Sequence, residues 1–389
     1  MPTQAAAPSG AAASPVVVER SRERSLVVER SRERSLVVVD LAAPVAALLE
    51  VGVLDELGAT RARVEDLSRA HPVWRVGLAD GRRLVVKAGL GHGGPDLAVE
   101  CLVYRMTWWC EPLAAALPVP LVVDEDRQLL VLADVGEPDG AGSLAQQVGF
   151  PALLGDGRPT PATVSSVSAT TTRALGRTVG ALHRATAGFP LPPAPPPLVL
   201  ALVGRGEQPP EATSFSALVR STLSALDGRP LVTDAVAELR RPVGGCLVNH
   251  DLKWDNVVLT GPTKQPVLLD WELAGLGDPA WDLGCLLAEH LVRDPLVPDS
   301  RVVGSWLDDP ARALLSGYRD GARLRTGIVA TFARRVVLAA GLRIVQLGLE
   351  VAYTPYAGDG EAVPRLIERA EAVLAAATPL TEEVVGCLS

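Results

Sequence analysis

Two short runs near residue 80 alternate between apolar and polar side chains. The runs cover residues 73–79 and 83–88 and flank the pair Asp80 and Gly81. Alternation with a period of two is typical of half-buried strands, and an Asp-Gly pair between such runs favours a tight turn. The pattern therefore predicts a β-hairpin in the first third of the chain.

Helix and strand patterns surround this hairpin. The spacing of Ala, Val and Leu over residues 41–57 predicts a short helix, and residues 120–123 and 128–132 are typical of two further strands. A Gly-Gly-Pro segment after the hairpin is typical of the first turn of a second helix. The apolar positions of this second helix recur at helical spacing: Leu97, Cys101, Tyr104 and Trp108.

The rest of the chain has mainly helical patterns. Residues 133–142 are rich in Gly, Asp and Pro and indicate a junction, and the proline-rich residues 190–197 indicate a semi-rigid connector. Helices are predicted at residues 174–187, 311–318, 332–351 and 361–376. The fold class predicted is α+β, with a small antiparallel sheet lobe before a larger, mainly helical lobe.

The first 39 residues have no comparable pattern. Residues 17–26 read VVERSRERSL, and residues 27–36 repeat the same ten letters. Two copies are too few for a stacked repeat, which needs about three, and we interpret the segment as a solvated, charged tail. The sequence thus predicts a tail over residues 1–39, a first lobe over residues 40–137 and a second lobe over residues 138–389.

Composition narrows the class of protein. Of the 389 residues, 48% are hydrophobic and 21% are charged, as in a soluble globular protein. The net charge of -8 argues against a nucleic-acid partner, because neutralising phosphates requires a basic surface. We expect no membrane partner, since no apolar run is long enough to span a bilayer. Five scattered cysteines without a Cys-x-x-Cys pair favour a reducing, cytoplasmic location. The oligomeric state is left open.

One stretch of the second lobe carries a set of hard oxygen ligands. Asp251 is followed by Asn256, and Asp270 ends an apolar run. Phosphoryl transfer needs such a set, because a carboxylate must orient the attacking hydroxyl and accept its proton, while oxygen ligands hold Mg²⁺ on the nucleotide phosphates. These residues predict Asp251 as the base, with Asn256 and Asp270 as metal ligands.

These residues belong to a longer ordered set. It reads Asn249-His250-Asp251, Asn256, Asp270-Trp271-Glu272 and Gly277-Asp278-Pro279-Ala280-Trp281-Asp282. The set resembles the motifs of the aminoglycoside phosphotransferase and choline kinase branch of the protein-kinase-like superfamily. The resemblance implies a protein-kinase-like two-lobe fold, ATP and Mg²⁺ as cofactors, and a hydroxyl group as the phosphate acceptor.

The catalytic loop departs from that branch at two positions. The branch has His and Gly immediately before the catalytic Asp, whereas this chain has Asn249 and His250. By the resemblance, Asn249 would replace the histidine as a polar brace, and Asp282 would hold the loop through its backbone amides. We interpret His250 as a structural residue.

Only three of the 37 basic residues are lysines: Lys87, Lys253 and Lys264. The resemblance implies that Lys87 binds the inner phosphates of the nucleotide and pairs with a carboxylate of the next helix. Glu100 is the first candidate for that carboxylate, and Glu111 is the second. Lys253 would contact the transferring phosphate, as the lysine of the Asp-Leu-Lys order does in protein kinases. Lys264 is interpreted as a solvated turn residue.

Further nucleotide contacts follow from the resemblance alone. Ser68 and the adjoining backbone would cover the phosphates, although no glycine-rich motif precedes Lys87. The adenine would bind backbone groups of Ala133 and Val135 at the junction between the lobes.

The combined features predict an ATP-dependent phosphotransferase that moves the γ-phosphate to a hydroxyl of a small molecule, either aminoglycoside-like or an amino alcohol. One alternative is a kinase that phosphorylates Ser or Thr of a precursor peptide in modified-peptide biosynthesis. A second alternative is a nucleotide-binding pseudokinase. The presence of Lys87 together with Asp251, Asn256 and Asp270 argues against a pseudokinase, because a binding module has no need for base and metal ligands together.

Overall fold

The structure of the chain is a computed structural model that describes residues 42–68, 72–89, 97–136, 143–144, 167–204, 216–241, 243–292, 305–353 and 362–389. These residues divide into two compact units. The smaller unit contains the described residues up to Cys101 and the segment Val119–Asp134. The larger unit contains Leu102–Pro118 and the described residues from Val135 onward. The N-terminal tail and its duplicated segment lie outside the described residues.

These units differ from the predicted division in two respects. The sequence places all of residues 40–137 in the first lobe, whereas Leu102–Pro118 and the described residues from Val135 onward group with the larger unit. The proposed boundaries at residues 39 and 137 stay predictions.

The smaller unit is built on a five-stranded antiparallel sheet with the order β1-β2-β3-β5-β4. The strands are β1 (Arg63–Asp66), β2 (Val73–Gly77), β3 (Arg83–Ala88), β4 (Pro120–Asp124) and β5 (Leu129–Ala133). The helices α1 (Ala43–Glu50) and α2 (Glu56–Ala59) precede the sheet, and α3 (Ala98–Met106) begins in this unit. One face of β2 and β3 forms the core with Leu48, through Trp74, Val76, Leu84 and Val86.

The predicted hairpin is confirmed by the pairing of β2 with β3. Val73 lies opposite Lys87 and Gly77 opposite Arg83. Gly81 closes the turn with a φ of 87°, a conformation that glycine adopts without steric cost. The hairpin therefore places Lys87 near the end of β3, at a fixed position on the sheet.

The prediction of one continuous helix over residues 41–57 is wrong. The described chain forms α1 and α2 instead, because Gly52 has a φ of 72° and ends the helical path. Asp55 then starts α2 as its N-cap by accepting a hydrogen bond from the backbone N–H of Gly58 at 2.6 Å.

The predicted inclusion of Trp108 in the second helix is also wrong. That helix, α3, ends at Met106, and Trp108 is 65% exposed. The amides of Thr107 and Trp108 donate to the carbonyls of Tyr104 and Arg105, three residues back, so the chain tightens and leaves the helical face.

The larger unit is mainly helical. Its helices are α4 (Glu111–Ala116), α5 (Ala169–Thr186), α6 (Leu198–Leu202), α7 (Ala217–Asp227), α8 (Pro230–Leu239), α9 (Pro279–Leu291), α10 (Asp309–Ala322), α11 (Val329–Tyr353), α12 (Ala362–Ala375) and α13 (Ala377–Leu388). The four helices predicted in this part of the chain are confirmed as α5, α10, α11 and α12, with shifted ends. The long helix α11 is buried along almost its whole length.

Two short antiparallel ribbons complete the larger unit. Strand β6 (Cys246–Val248) pairs with β9 (Gly275–Gly277), and β7 (Val257–Thr260) pairs with β8 (Gln265–Leu268). The strands β6 and β7 are buried, so their positions are fixed by the core. The segment between β6 and β7 and the segment after β8 carry the candidate site.

The described residues contain no helix that is both long and apolar enough to cross a membrane. All five cysteines are free thiols with buried side chains.

Candidate active site

The segment after β6 is held in place by a buried amide side chain. Asn249 is fully buried. Its Nδ2 donates to the carbonyl oxygen of Asp270 at 2.8 Å, and its Oδ1 accepts from the backbone N–H of Asp251 at 3.1 Å. One side chain therefore ties the segment that carries Asp251 to the segment that carries Asp270. These are the contacts of the polar brace that the sequence predicts.

A buried carboxylate holds the same segment from the other side. The backbone N–H groups of Asn249 and His250 donate to the two oxygens of Asp282, at 2.8 and 2.9 Å. His183 Nε2 lies 3.3 Å from Asp282 Oδ2. Burial opposes the charged form of Asp282, but the contact with His183 and the loop amides outweigh it and lower the pKa of Asp282. Asp282 is thus a charged internal anchor for the loop.

His250 has a backbone conformation that glycine adopts more easily. Its φ is 69°, in the left-handed region. The ring Nδ1 donates to the carbonyl oxygen of Pro195 at 2.8 Å, and Trp281 Nε1 donates to the carbonyl oxygen of His250 at 3.1 Å. Gly277 leaves space for the ring, because a Cβ there would lie 2.9 Å from His250 Nε2. Burial lowers the pKa of His250, although Asp282 raises it. These contacts support a structural role for His250.

Asp251 lies at the centre of a cluster of polar groups. Lys253 Nζ donates to Asp251 Oδ2 at 2.6 Å. Asn256 Nδ2 donates to the carbonyl oxygen of Asp251 at 2.9 Å. Burial opposes the charge of Lys253, but Asp251 outweighs it and the pKa of Lys253 is raised. The predicted base and two predicted neighbours are therefore in direct contact, with Lys253 charged at neutral pH.

The two predicted metal ligands lie on neighbouring segments. Asn256 ends a short 3₁₀ helix (Trp254–Asn256), and its backbone carbonyl accepts from the N–H of Leu269 at 2.8 Å. Asp270 follows β8 by two residues, with a φ of 60°. Since Asn256 uses its Nδ2 on Asp251, its Oδ1 is the atom left for another contact. An amide oxygen and a carboxylate suit Mg²⁺, which keeps several waters and needs few protein ligands.

Two charged residues of α11 and one of α9 extend this cluster, and the sequence did not indicate any of them as site residues. Arg343 is fully buried, with Nη2 3.6 Å from Asp251 Oδ1 and Nη1 2.5 Å from Glu350 Oε1. Glu289 is buried, and burial raises its pKa to about 7, against the opposing charge of Arg343. In the sequence, Arg343 only interrupts the apolar pattern of a helix. Its contact with Asp251 could therefore not be predicted.

The predicted lysine and carboxylate of the smaller unit form an ion pair. Lys87 Nζ lies 2.8 Å from Glu100 Oε1 and 3.1 Å from Oε2. Glu100 is buried, whereas Lys87 keeps 16% of its side chain exposed. The second candidate, Glu111, is an exposed residue at the start of α4. Glu100 is therefore the partner of Lys87, and nucleotide binding by this pair stays a prediction.

The remaining predicted nucleotide contacts are partly used within the protein. Ser68 Oγ accepts from the backbone N–H of Val73 at 3.0 Å, and Ser68 N–H donates to Asp66 at 2.9 Å. The N–H of Ala133 donates to the carbonyl oxygen of Val119 at 2.9 Å. A nucleotide contact of Ala133 would therefore use its carbonyl group. The roles of Ser68, Ala133 and Val135 stay predictions, and residues 69–71 lie outside the described part.

The tryptophans near the loop are buried rather than open to a substrate. Trp254 and Trp271 are 1% exposed, and Trp281 is 2% exposed. Trp271 Nε1 donates to the carbonyl oxygen of Leu268 at 3.3 Å. These residues support the loop by packing. Lys264 has a φ of 49° in the exposed turn between β7 and β8, in keeping with a solvated turn residue.

Comparison with known proteins gives matches over most of the chain. The sequence profile of the phosphotransferase enzyme family, APH, matches residues 65–325, which include all residues of the catalytic loop. Viomycin phosphotransferase from Streptomyces vinaceus is 30% identical over 108 residues, which are 28% of this chain and 34% of that protein. The match thus spans about a third of the relative's length.

Two solved structures resemble the chain in fold. Amicoumacin kinase hAmiN, in complex with AMP-PNP, Ca²⁺ and Ami, has a TM-score of 0.51 at 14% identity and covers 86% of this chain and 94% of its own. The ethanolamine kinase of Plasmodium vivax has a TM-score of 0.51 at 10% identity and covers 85% of this chain and 86% of its own. These similarities confirm the predicted kinase-like fold class, with a small antiparallel sheet and a larger helical part.

Proposed function

Since the chain belongs to the phosphotransferase enzyme family, we propose that it transfers the γ-phosphoryl group of ATP to a hydroxyl of a small molecule. The observation that carries this proposal is the cluster of Asp251, Lys253 and Asn256, fixed by the buried Asn249. A preorganised base beside a cation is what phosphoryl transfer requires, because catalysis rests on positioning and on neutralising charge.

Asp251 acts as the base in this proposal. Its carboxylate orients the acceptor hydroxyl and takes its proton, while the hydroxyl oxygen bonds to the γ-phosphorus. The bond from that phosphorus to the bridging oxygen breaks, and ADP leaves with the electron pair. Lys253, which is held charged by Asp251, stabilises the negative charge of the phosphoryl group in transfer.

Lys87, Asn256 and Asp270 serve the nucleotide. Lys87, oriented by Glu100, binds the inner phosphates. Asn256 and Asp270 would hold Mg²⁺, which neutralises charge on the phosphates when it is bound. The Asn256 amide fits this role, because its nitrogen is fixed on Asp251 and its oxygen is left for a cation. Backbone groups of Ala133 and Val135 contact the adenine, and Ser68 lies at the phosphate end.

The acceptor is proposed to be a small amine-bearing alcohol, of the aminoglycoside or amino alcohol class. The names of the similar proteins support this class, since viomycin phosphotransferase and ethanolamine kinase both name small molecules.

The proposal is tested by incubating the full chain with MgATP and separate acceptors: viomycin, kanamycin, ethanolamine, choline and Ser/Thr peptides. We expect one of the small molecules to gain a phosphoryl group in the mass spectrum, with matching release of ADP. The control is Asp251→Asn, which keeps the shape of the side chain without the base. Phosphorylation of peptides alone would instead support the peptide kinase, and nucleotide binding without transfer to any acceptor would contradict the proposal.

A further inference from the structure

Most residues of the long helix α11 pack into the core. One of these buried residues is an arginine. Arg343 is 1% exposed, and its neighbours in α11 are mostly buried apolar residues. Burying a guanidinium among apolar side chains is costly unless anions compensate its charge. The cost indicates that Arg343 serves a purpose other than packing.

Arg343 is anchored from its own helix. Nη1 lies 2.5 Å from Glu350 Oε1, and Gln346 Nε2 donates to the same oxygen at 3.1 Å. Burial opposes the charge of Glu350, but Arg343 and these hydrogen bonds outweigh it and lower the pKa of Glu350. Glu350 is therefore a carboxylate that fixes one edge of the guanidinium.

The other edge of the guanidinium faces the proposed base. Arg343 Nη2 lies 3.6 Å from Asp251 Oδ1 and has no hydrogen-bond partner among the described residues. The second oxygen of Asp251, Oδ2, is held by Lys253 at 2.6 Å. Each oxygen of the carboxylate thus has its own cation, one from the loop and one from α11. Two cations on opposite oxygens restrict rotation of the carboxylate, which a base needs to meet a hydroxyl in line.

We propose that Arg343, anchored by Glu350, is a positioning residue that orients Asp251 toward the acceptor hydroxyl. The inference rests on the proposed role of Asp251 as the base. It adds two residues to the reaction, Arg343 and Glu350, from a helix that begins 78 residues after Asp251. Arg343 touches neither phosphate nor acceptor in this account and acts through Asp251 alone.

The decisive variant removes both charges of the anchor together. Arg343→Met combined with Glu350→Met leaves no buried charge without a partner, and such replacements of buried ion pairs are often neutral for stability. ADP release from MgATP is measured with viomycin, kanamycin, ethanolamine, choline and water as separate acceptors. Water alone gives the basal rate of ADP release. Each variant is compared with the wild type at the same acceptor.

We expect the double variant to lose about 100-fold in kcat while the KM for ATP changes by less than about threefold. The matched control removes a second ion pair of α11, by Arg334→Met with Glu238→Met. Arg334 binds Glu238 through two hydrogen bonds, at 2.9 and 2.8 Å, on an exposed part of the helix. This control should keep the wild-type kcat.

A milder variant covers the case in which the double variant fails to fold. Glu350→Gln leaves Arg343 in place but removes its ionic anchor, and we expect kcat to fall about tenfold with an unchanged KM for ATP. A folded double variant or a Glu350→Gln variant with the wild-type kcat would overturn the inference and leave the proposed function standing. Wild-type turnover by Asp251→Asn, or no ADP release by the wild type, would overturn both.

Discussion

Glu289 shows how strongly one residue of the larger unit depends on its surroundings. The side chain lies on α9 and is 6% exposed. Burial raises its pKa to about 7, with the carboxylates of Asp255 and Asp251 adding to the effect and Arg343 and Lys253 opposing it. An ordinary glutamate has a pKa of 4.5, so folding disfavours the charged form of this residue.

This shift makes the stability of the protein depend on pH. Below about pH 4.5 the carboxyl is protonated in both the folded and the unfolded chain, and it contributes nothing. Between about pH 4.5 and 7 the unfolded chain ionises first, so stability falls as the pH rises. The loss amounts to roughly 2–3 kcal/mol between about pH 5 and 8. Glu289→Gln should remove it.

Urea unfolding of the wild type and of Glu289→Gln, at about pH 5 and at about pH 8, checks this prediction. The advantage of the variant in free energy of unfolding should grow with pH. Glu382→Gln, at an exposed position of α13, is the matched control and should show no such trend. An advantage of Glu289→Gln that is constant or shrinks with pH would contradict the assigned shift.

At the residue scale, the sequence identified the parts of the site that are close along the chain. Asp251 and Asn256 lie within six residues, so their proximity could be predicted from spacing. The role of Lys253 was predicted from the family resemblance. Arg343 and Glu289 come from separate helices, and a helical pattern does not reveal which distant group a polar residue will face. The contact of Lys87 with Glu100 was predicted from the family resemblance.

At the scale of elements, α5 and α10 pack with their backbones in close contact. A Cβ at Gly317 would lie 2.0 Å from the carbonyl oxygen of Arg173, and a Cβ at Gly176 would lie 2.0 Å from that of Leu314. One turn further along each helix, a Cβ at Gly180 would lie 2.5 Å from the opposite backbone and a Cβ at Gly321 would lie 2.2 Å from it. Glycines four residues apart on both helices allow the two backbones to touch.

Gly317→Ala should therefore destabilise the protein by about 1–3 kcal/mol, because the added methyl group must push the two helices apart. The matched control is Gly386→Ala in α13, where nothing lies within 4 Å of the added Cβ. This control should stabilise the protein by up to about 1 kcal/mol through helix propensity. The midpoint of urea unfolding measures both. Equal or greater stability of Gly317→Ala would show that the helices are not in such close contact.

The elements themselves were predicted where their pattern was long or bounded by a clear turn. The hairpin at Asp80 and Gly81 and the helices α5, α10, α11 and α12 belong to this group. The helix over residues 41–57 failed because Gly52 adopts a positive φ, which composition does not reveal. The short helices α7, α8 and α13 were not predicted, because tertiary packing decides their formation more than local pattern does.

At the scale of the whole molecule, the proposed chemistry is divided between the two units. The smaller unit holds the pair of Lys87 and Glu100 on its sheet and first long helix. The larger unit holds the proposed base, Asp251, with Lys253 and Asn256. Because Lys87 and Asp251 belong to different units, loss of the proposed base should leave the proposed nucleotide contacts of the smaller unit intact.

This separation leads to the measurement that tests the central claim most directly. ATP binding by the wild type and Asp251→Asn is measured by calorimetry in the presence of Mg²⁺. Transfer of the γ-phosphoryl group is measured in the same samples, with the best acceptor of the panel. We expect both proteins to bind ATP with affinities within about threefold of each other, whereas transfer by the variant falls at least about 1,000-fold. Transfer at the wild-type rate by Asp251→Asn would contradict the account.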